Sequence, residues 1–110
     1  MREEALDLPG AGRVLCRWAE TPWERARGLI GRPPLPAGAV MGFRRCRALH
    51  TCFMGRAIDV LFVDRAGVPV RFLPGVKPWR LLVWGGWRAA TAYEGEAGSM
   101  APPDARARRS

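Results

Sequence analysis

Lysine, histidine and cysteine are scarce in this 110-residue chain, and each scarcity excludes something. Of its 18 cationic side chains only Lys77 is a lysine, the single histidine is His50, and the three cysteines are Cys16, Cys46 and Cys52. An odd, small number of cysteines at irregular spacing does not describe a disulfide framework. Reduced thiols that pack as small hydrophobes are expected instead. No apolar run approaches the length needed to cross a bilayer, so no membrane span is expected. The opening Met1-Arg2-Glu3-Glu4 has no apolar stretch of the kind a secretory signal carries, and a cytoplasmic location is the expectation. No internal repeat is visible.

What is present suffices for a folded domain. Hydrophobic residues make up 48% of the chain, which excludes disorder and allows one core without metal or disulfide staples. The net charge of +8 raises the question of a nucleic-acid partner. Against it, the cations are almost all arginine and accompany an excess of Ala, Gly and Pro, the mark of a GC-rich coding sequence. They are also scattered, with Arg44, Arg45 and Arg47 the one tight cluster. A solvated basic surface is therefore the expectation, and single-stranded nucleic acid the competing partner.

Local signals divide the chain into a lead-in (residues 1–12), one β-rich domain (13–100) and a mobile basic tail (101–110). The lead-in ends in the loop Pro9-Gly10-Ala11-Gly12. Val14, Cys16 and Trp18 alternate as on a half-buried strand. A helix follows over residues 22–30: Thr21 caps it, Pro22 takes N1, and Glu24 completes a capping box. Trp23, Ala26, Leu29 and Ile30 form its apolar stripe, and Gly31 stops it. Strands are expected over 39–46, 49–54 and 58–63. Asp64-Arg65-Ala66-Gly67 makes a hairpin loop, and Pro69 marks the returning strand as an edge. Gly85-Gly86 reads as a turn between two further strands, with Trp84 and Trp87 stacked across it. About six short strands and one helix predict a mainly β fold, a compact sandwich, jelly-roll-like or barrel-like domain.

Three kinds of chemistry can be placed on these residues. Cys46, His50 and Cys52, with Cys16 as a fourth ligand, have zinc-binding types. No Cys-x-x-Cys pair exists, however, and on one strand Cys46 stands about 13 Å from His50 at ~3.3 Å per residue. No metal is therefore assigned. His50 and Cys52, two apart on a strand, could form a nucleophilic pair, but no orienting group or oxyanion site accompanies them. Trp79-Arg80 and Trp87-Arg88 interleave aromatics with cations as single-stranded nucleic-acid binders do. Asp59 interrupts the apolar run from Ile58 to Val63, on the face of Leu61 and Val63. Buried there, it needs a partner, either an arginine such as Arg56 or Arg71 or backbone N–H groups, unless it contacts a ligand.

The motifs Thr21-x-x-Glu24-Arg25-x-Arg27-Gly28-Leu29-Ile30-Gly31-Arg32, Met41-x-Phe43 and His50-Thr51-x-x-Met54 occur in this order. Ile58-Asp59-Val60-x-Phe62-Val63-Asp64-x-x-Gly67, Pro78-Trp79-Arg80 and Glu94-x-x-Ala97-Gly98 follow. Together they resemble the prokaryotic family known as domain of unknown function 192, over roughly residues 14–98. The resemblance implies a small, mainly β fold with one short helix and no particular activity. The chain departs from the pattern at Gly55-Arg56-Ala57, where an arginine, an aromatic and a proline are typical. It departs again at Gly95-Glu96, which replaces an apolar–proline pair.

Polar residues within the motifs are the candidate site: Arg25, His50, Thr51, Asp59 and Glu94. The expectation is a polar pocket near the helix, built with Thr51, Asp59 and Arg25, that binds a small ligand or peptide without catalysis. No cofactor is implied and a monomer is expected. A polyanion-binding module and a Cys/His-dependent enzyme are the alternatives.

Overall fold

The computed structural model describes residues 1–103, and the expected basic tail from 104 onward lies outside them. Eight strands and one helix follow in order. They are β1 (Arg2–Leu8), β2 (Gly12–Trp18), α1 (Pro22–Arg27), β3 (Ala39–Arg44), β4 (Ala48–Leu49), β5 (Ile58–Val63), β6 (Pro69–Val76), β7 (Val83–Trp84) and β8 (Thr91–Glu96). Six strands form one mixed sheet in the order β1-β2-β3-β8-β5-β6, and β4 pairs with β7 separately. The mainly β class with one short helix is as expected; the main sheet is open, with β1 and β6 at its edges, and is not a closed barrel.

The strand period of two explains the two cores. Along β5, Ile58, Val60 and Phe62 enter the larger cluster with Met41, Phe43, Ala92 and Leu29. Leu61 and Val63 point the other way, to Cys16, Trp18, Val40 and Tyr93. All six β5 residues are buried, so this strand is the spine between the two faces.

The helix begins as its sequence dictates. Thr21 Oγ1 accepts from Glu24 N (3.1 Å), and Glu24 Oε1 accepts from Thr21 N and Glu20 N (both 3.0 Å). These bonds hold the Glu24 carboxyl below its usual pKa. The end differs from expectation. The helix stops at Arg27 because Gly28, at φ 53°, turns the chain while its N–H bonds Glu24 O. No helical residue is buried, and Trp23 is exposed; Leu29, just beyond the end, makes the core contact in its place.

Three other boundaries shift for tertiary reasons. Residues 2–8 of the expected lead-in are an edge strand, paired residue for residue with β2. The expected strand over 49–54 is only Ala48–Leu49, since residues 51–54 turn under the Met54 N to Thr51 O bond. The 85–86 hairpin does not form: β7 pairs with β4 and β8 joins the main sheet between β3 and β5. Trp84 and Trp87 nevertheless meet edge to face at 5.0 Å. The β5–β6 hairpin matches expectation, with Asp64 Oδ1 accepting from Ala66 N and Val68 N, and Gly67 at φ 83°. Beyond β8, Met100 is buried and Ala101 N bonds Gly10 O (2.7 Å). Among the described residues no helix is long and apolar enough to cross a membrane.

Candidate ligand cavity beneath the helix

The five polar candidates separate into two groups. Arg25, His50 and Glu94 line one cavity of about 250 Å³ below the end of α1, together with Gly28, Phe43 and Cys46. Thr51 and Asp59 do not line it, which corrects the expectation that they build the pocket.

Asp59 is 1% exposed and accepts three backbone hydrogen bonds. Oδ1 takes Gly75 N (2.9 Å); Oδ2 takes Gly98 N (2.9 Å) and Met100 N (3.1 Å). Opposite it the β5–β6 register shifts, Ile58 pairing with Val76 but Val60 with Leu73. The carboxylate fills this gap in the ladder and also pins the turn after β8. Its partners are therefore backbone N–H groups rather than Arg56 or Arg71, and they take most of its accepting capacity.

Thr51 is a splice between two loops. Its hydroxyl donates to Lys77 O (2.7 Å) and accepts from Arg80 N (2.9 Å). Its backbone bonds Arg80 O and Trp79 N. Trp79 is thereby held outside the core, against Phe53 at 4.8 Å, with both residues in left-handed backbone.

Glu94 is the exception among the buried groups. It is 4% exposed, and Oε1 has no hydrogen-bond partner among the described residues. Burial raises its pKa to about 8, so the carboxyl is protonated at neutral pH. An unpaired buried polar atom is costly and calls for an explanation. It lies on the Ala92 side of β8, facing the larger core, where β8 pairs Met41 and Val60. Gly28 closes the space above it. A Cβ there would come within 3.3 Å of Glu94 Oε1 and 3.4 Å of the Phe43 ring. The left-handed turn that ends the helix is thus also what keeps the cavity open.

The rim is basic. Arg25 is held by two backbone acceptors, Arg44 O (2.6 Å) and Arg45 O (3.3 Å). His50 is exposed, and its Nδ1 accepts from Cys52 N (3.2 Å), which leaves the proton of the neutral ring on Nε2. That same bond occupies the imidazole nitrogen nearest Cys52, whose Sγ faces Arg80 O instead. Cys46 donates to Ala48 O (3.1 Å), and burial raises its thiol pKa. Burial likewise raises the Cys16 thiol, to about 12, on the opposite face of the sheet. Cys16 therefore cannot join Cys46 around one metal. No group of three or more His, Cys, Asp or Glu side chains suited to a metal occurs among the described residues.

Gly28, Phe43 and Cys46 belong to the cavity although residue type alone did not mark them for it. Gly28 stood in the motif as a turn residue, and only its position over Glu94 gives it a second role. Both departures from the family pattern also meet beside this region. Arg56 Nε and Nη2 bond Glu96 Oε1 (2.6 Å) and Oε2 (2.9 Å), and Glu96 Oε2 accepts Leu35 N as well.

A small, mainly β domain with one helix beside an open mixed sheet is the class this architecture defines. The chain belongs to the family DUF192, described as an uncharacterised ACR, whose model matches residues 6–103. No curated protein matches it. Two solved structures share the fold. One, a protein of unknown function from Novosphingobium aromaticivorans DSM 12444, is 19% identical, with a TM-score of 0.71 over 83% of this chain and 70% of that one. The other, from Sinorhizobium meliloti 1021 and described as a putative transcription regulator, is 19% identical, with a TM-score of 0.74 over 88% and 85%.

Proposed function

We propose that the protein is a binding domain without catalytic activity, and that its ligand is a small, mostly apolar molecule with one polar group. The observation that carries this is the unpaired Glu94 Oε1, buried against the cavity under Gly28. A protonated carboxyl donates one hydrogen bond and accepts another, so it can anchor an amide, a carbonyl or a hydroxyl. Apolar walls from Leu29, Phe43 and Met54 suit the rest of such a molecule. The cavity, at about 250 Å³, lies below the ~300–1,000 Å³ typical of drug-sized ligands. Fragment-sized occupants follow from that. Binding is supported over catalysis by the His50–Cys52 pair because His50 Nδ1 accepts from Cys52 N, and the Cys52 thiol faces Arg80 O rather than the imidazole.

A thermal-shift screen of fragment-sized amides, ketones and alcohols in mildly acidic buffer tests the proposal. Wild type and Glu94→Gln should both be stabilised by at least one such class, and Glu94→Leu should not. If no fragment raises the wild-type melting temperature, or if Glu94→Leu responds equally, the cavity is not a ligand site.

A further inference from the structure

A larger concavity than the one beneath the helix lies elsewhere, between the β5–β6 hairpin tip and the segment joining β7 to β8. It is an open groove of about 690 Å³ lined by Arg45, Arg47, Arg65, Arg88 and Trp87, with Asp64 at its edge. We propose that this groove binds a nucleoside phosphate, the base on Trp87 and the phosphate among the arginines.

The charge pattern is the first argument. Arg2, Arg13, Arg17, Arg44 and Arg56 each form an ion pair. Among the described residues Arg45, Arg47, Arg65 and Arg88 form none, although they share one groove. Asp64 offsets one of the four charges, and its Oδ1 is bonded to Ala66 N and Val68 N in its own turn. Four guanidinium groups against one carboxylate leave the groove with a net positive charge, and a phosphate offsets it through forked, charge-assisted hydrogen bonds.

Trp87 supplies the second argument. It is 77% exposed, so core packing does not explain it. Its indole is nevertheless braced: Trp84 packs edge-on at 5.0 Å, and Arg47 Nε donates to Trp87 O (2.9 Å) with its guanidinium 5.9 Å from the ring centroid. The groove walls are tied to the sheet through Ala90 N to Val63 O (2.8 Å), Cys46 N to Ala90 O (3.1 Å) and Gly85 N to Arg47 O (2.7 Å). A fixed, exposed aromatic beside unpaired arginines is a stacking platform with a phosphate clamp. Of the two Trp-Arg dipeptides, Trp87-Arg88 lines this groove, while Trp79 packs on Phe53 outside it.

The same chemistry could come from a free nucleotide or from single-stranded nucleic acid. Calorimetric titration of the full chain with ADP, inorganic pyrophosphate and a short oligothymidylate separates these sources. ADP should bind about tenfold more tightly than pyrophosphate, a margin that Trp87→Ala abolishes. Arg65→Ala/Arg88→Ala should weaken all three probes while leaving the circular dichroism spectrum unchanged. An oligonucleotide that binds more tightly than ADP, and loses affinity steeply with salt, assigns the groove to nucleic acid. ADP binding as tightly or more tightly assigns it to free nucleotides. Glu94→Gln should bind ADP as wild type does, because Glu94 lines the other cavity. Absence of binding by both ADP and the oligonucleotide overturns the proposal. So does pyrophosphate binding equal to ADP, or affinity unchanged in the double arginine variant.

Discussion

Asp59 and Glu94 are both buried carboxylates on adjacent, hydrogen-bonded strands of one sheet, yet they have opposite characters. Asp59 faces the smaller core and accepts three backbone N–H groups. Glu94 faces the larger core with an oxygen that nothing satisfies among the described residues. Burial alone therefore does not mark a site. What separates a structural acid from a candidate ligand anchor is whether its hydrogen-bonding capacity is already used. Glu96, two residues beyond Glu94, is intermediate: partly exposed, and matched by Arg56 and Leu35 N.

The sharpest way to break this contrast is to remove Asp59. Asp59→Ala orphans three N–H groups and should cost about 4 kcal/mol in chemical denaturation, with no fragment ligand restoring it. A loss below about 1 kcal/mol would show that water or a backbone shift replaces the carboxylate easily.

Glu94 should respond in the other direction. Its folded pKa of about 8 lies above the usual 4.5, so the folded state holds more protons than the unfolded state between those values. Stability then falls as pH rises through that window. Glu94→Gln has no such loss and should be more stable than wild type near pH 9, by about 5 kcal/mol at ~1.4 kcal/mol for each pH unit between the two pKa values, and differ little near pH 5. Denaturation curves at both pH values check this.

Glu96 provides the pH dependence of opposite sign. The Arg56 hydrogen bonds hold its pKa below the usual value, so its stabilisation is present above the usual carboxylate pKa and is lost as acid protonates it. A double-mutant cycle on Arg56 and Glu96 should give a coupling of about 1 kcal/mol, reduced by solvent screening of this partly exposed pair. The smallest effect is expected at the rim, where His50→Ala should change stability by less than about 0.5 kcal/mol. A larger loss would make His50 part of the fold rather than of the cavity mouth.

Local chemistry was legible where it was self-contained. The capping box of Thr21 and Glu24 and the turn built by Asp64 need no distant partner, and both form as read. The alternation around Asp59 placed it on the correct face with Leu61 and Val63. The misread elements all depend on distant contacts. Arg2–Leu8 is mostly exposed, so it lacks the apolar signature of a strand and is ordered by pairing with β2. Gly85-Gly86 looked like a turn, but Gly85 packs directly under the Phe62 ring, where any Cβ would collide, and the two flanking segments go to different sheets. The candidate site was legible only as a set of polar residue types. Arg25, His50 and Glu94 do meet, while Thr51 and Asp59 look equally polar in sequence and are used up in hydrogen bonds to backbone. Whether a buried oxygen is left over cannot be read from residue type, since it depends on every neighbour that fails to reach it.

The Arg56–Glu96 pair has a consequence for how such a chain can change. Arg56 and Glu96 stand where the sequence resemblance implies an aromatic and a proline. The two side chains are bidentate partners 40 residues apart. Either charge introduced alone would sit half-buried without its counterion, so each substitution is a handicap by itself and neutral or useful only with the other. The two positions are epistatic, and a chimera that exchanges one of the segments around them with a relative should inherit the defect of the missing half.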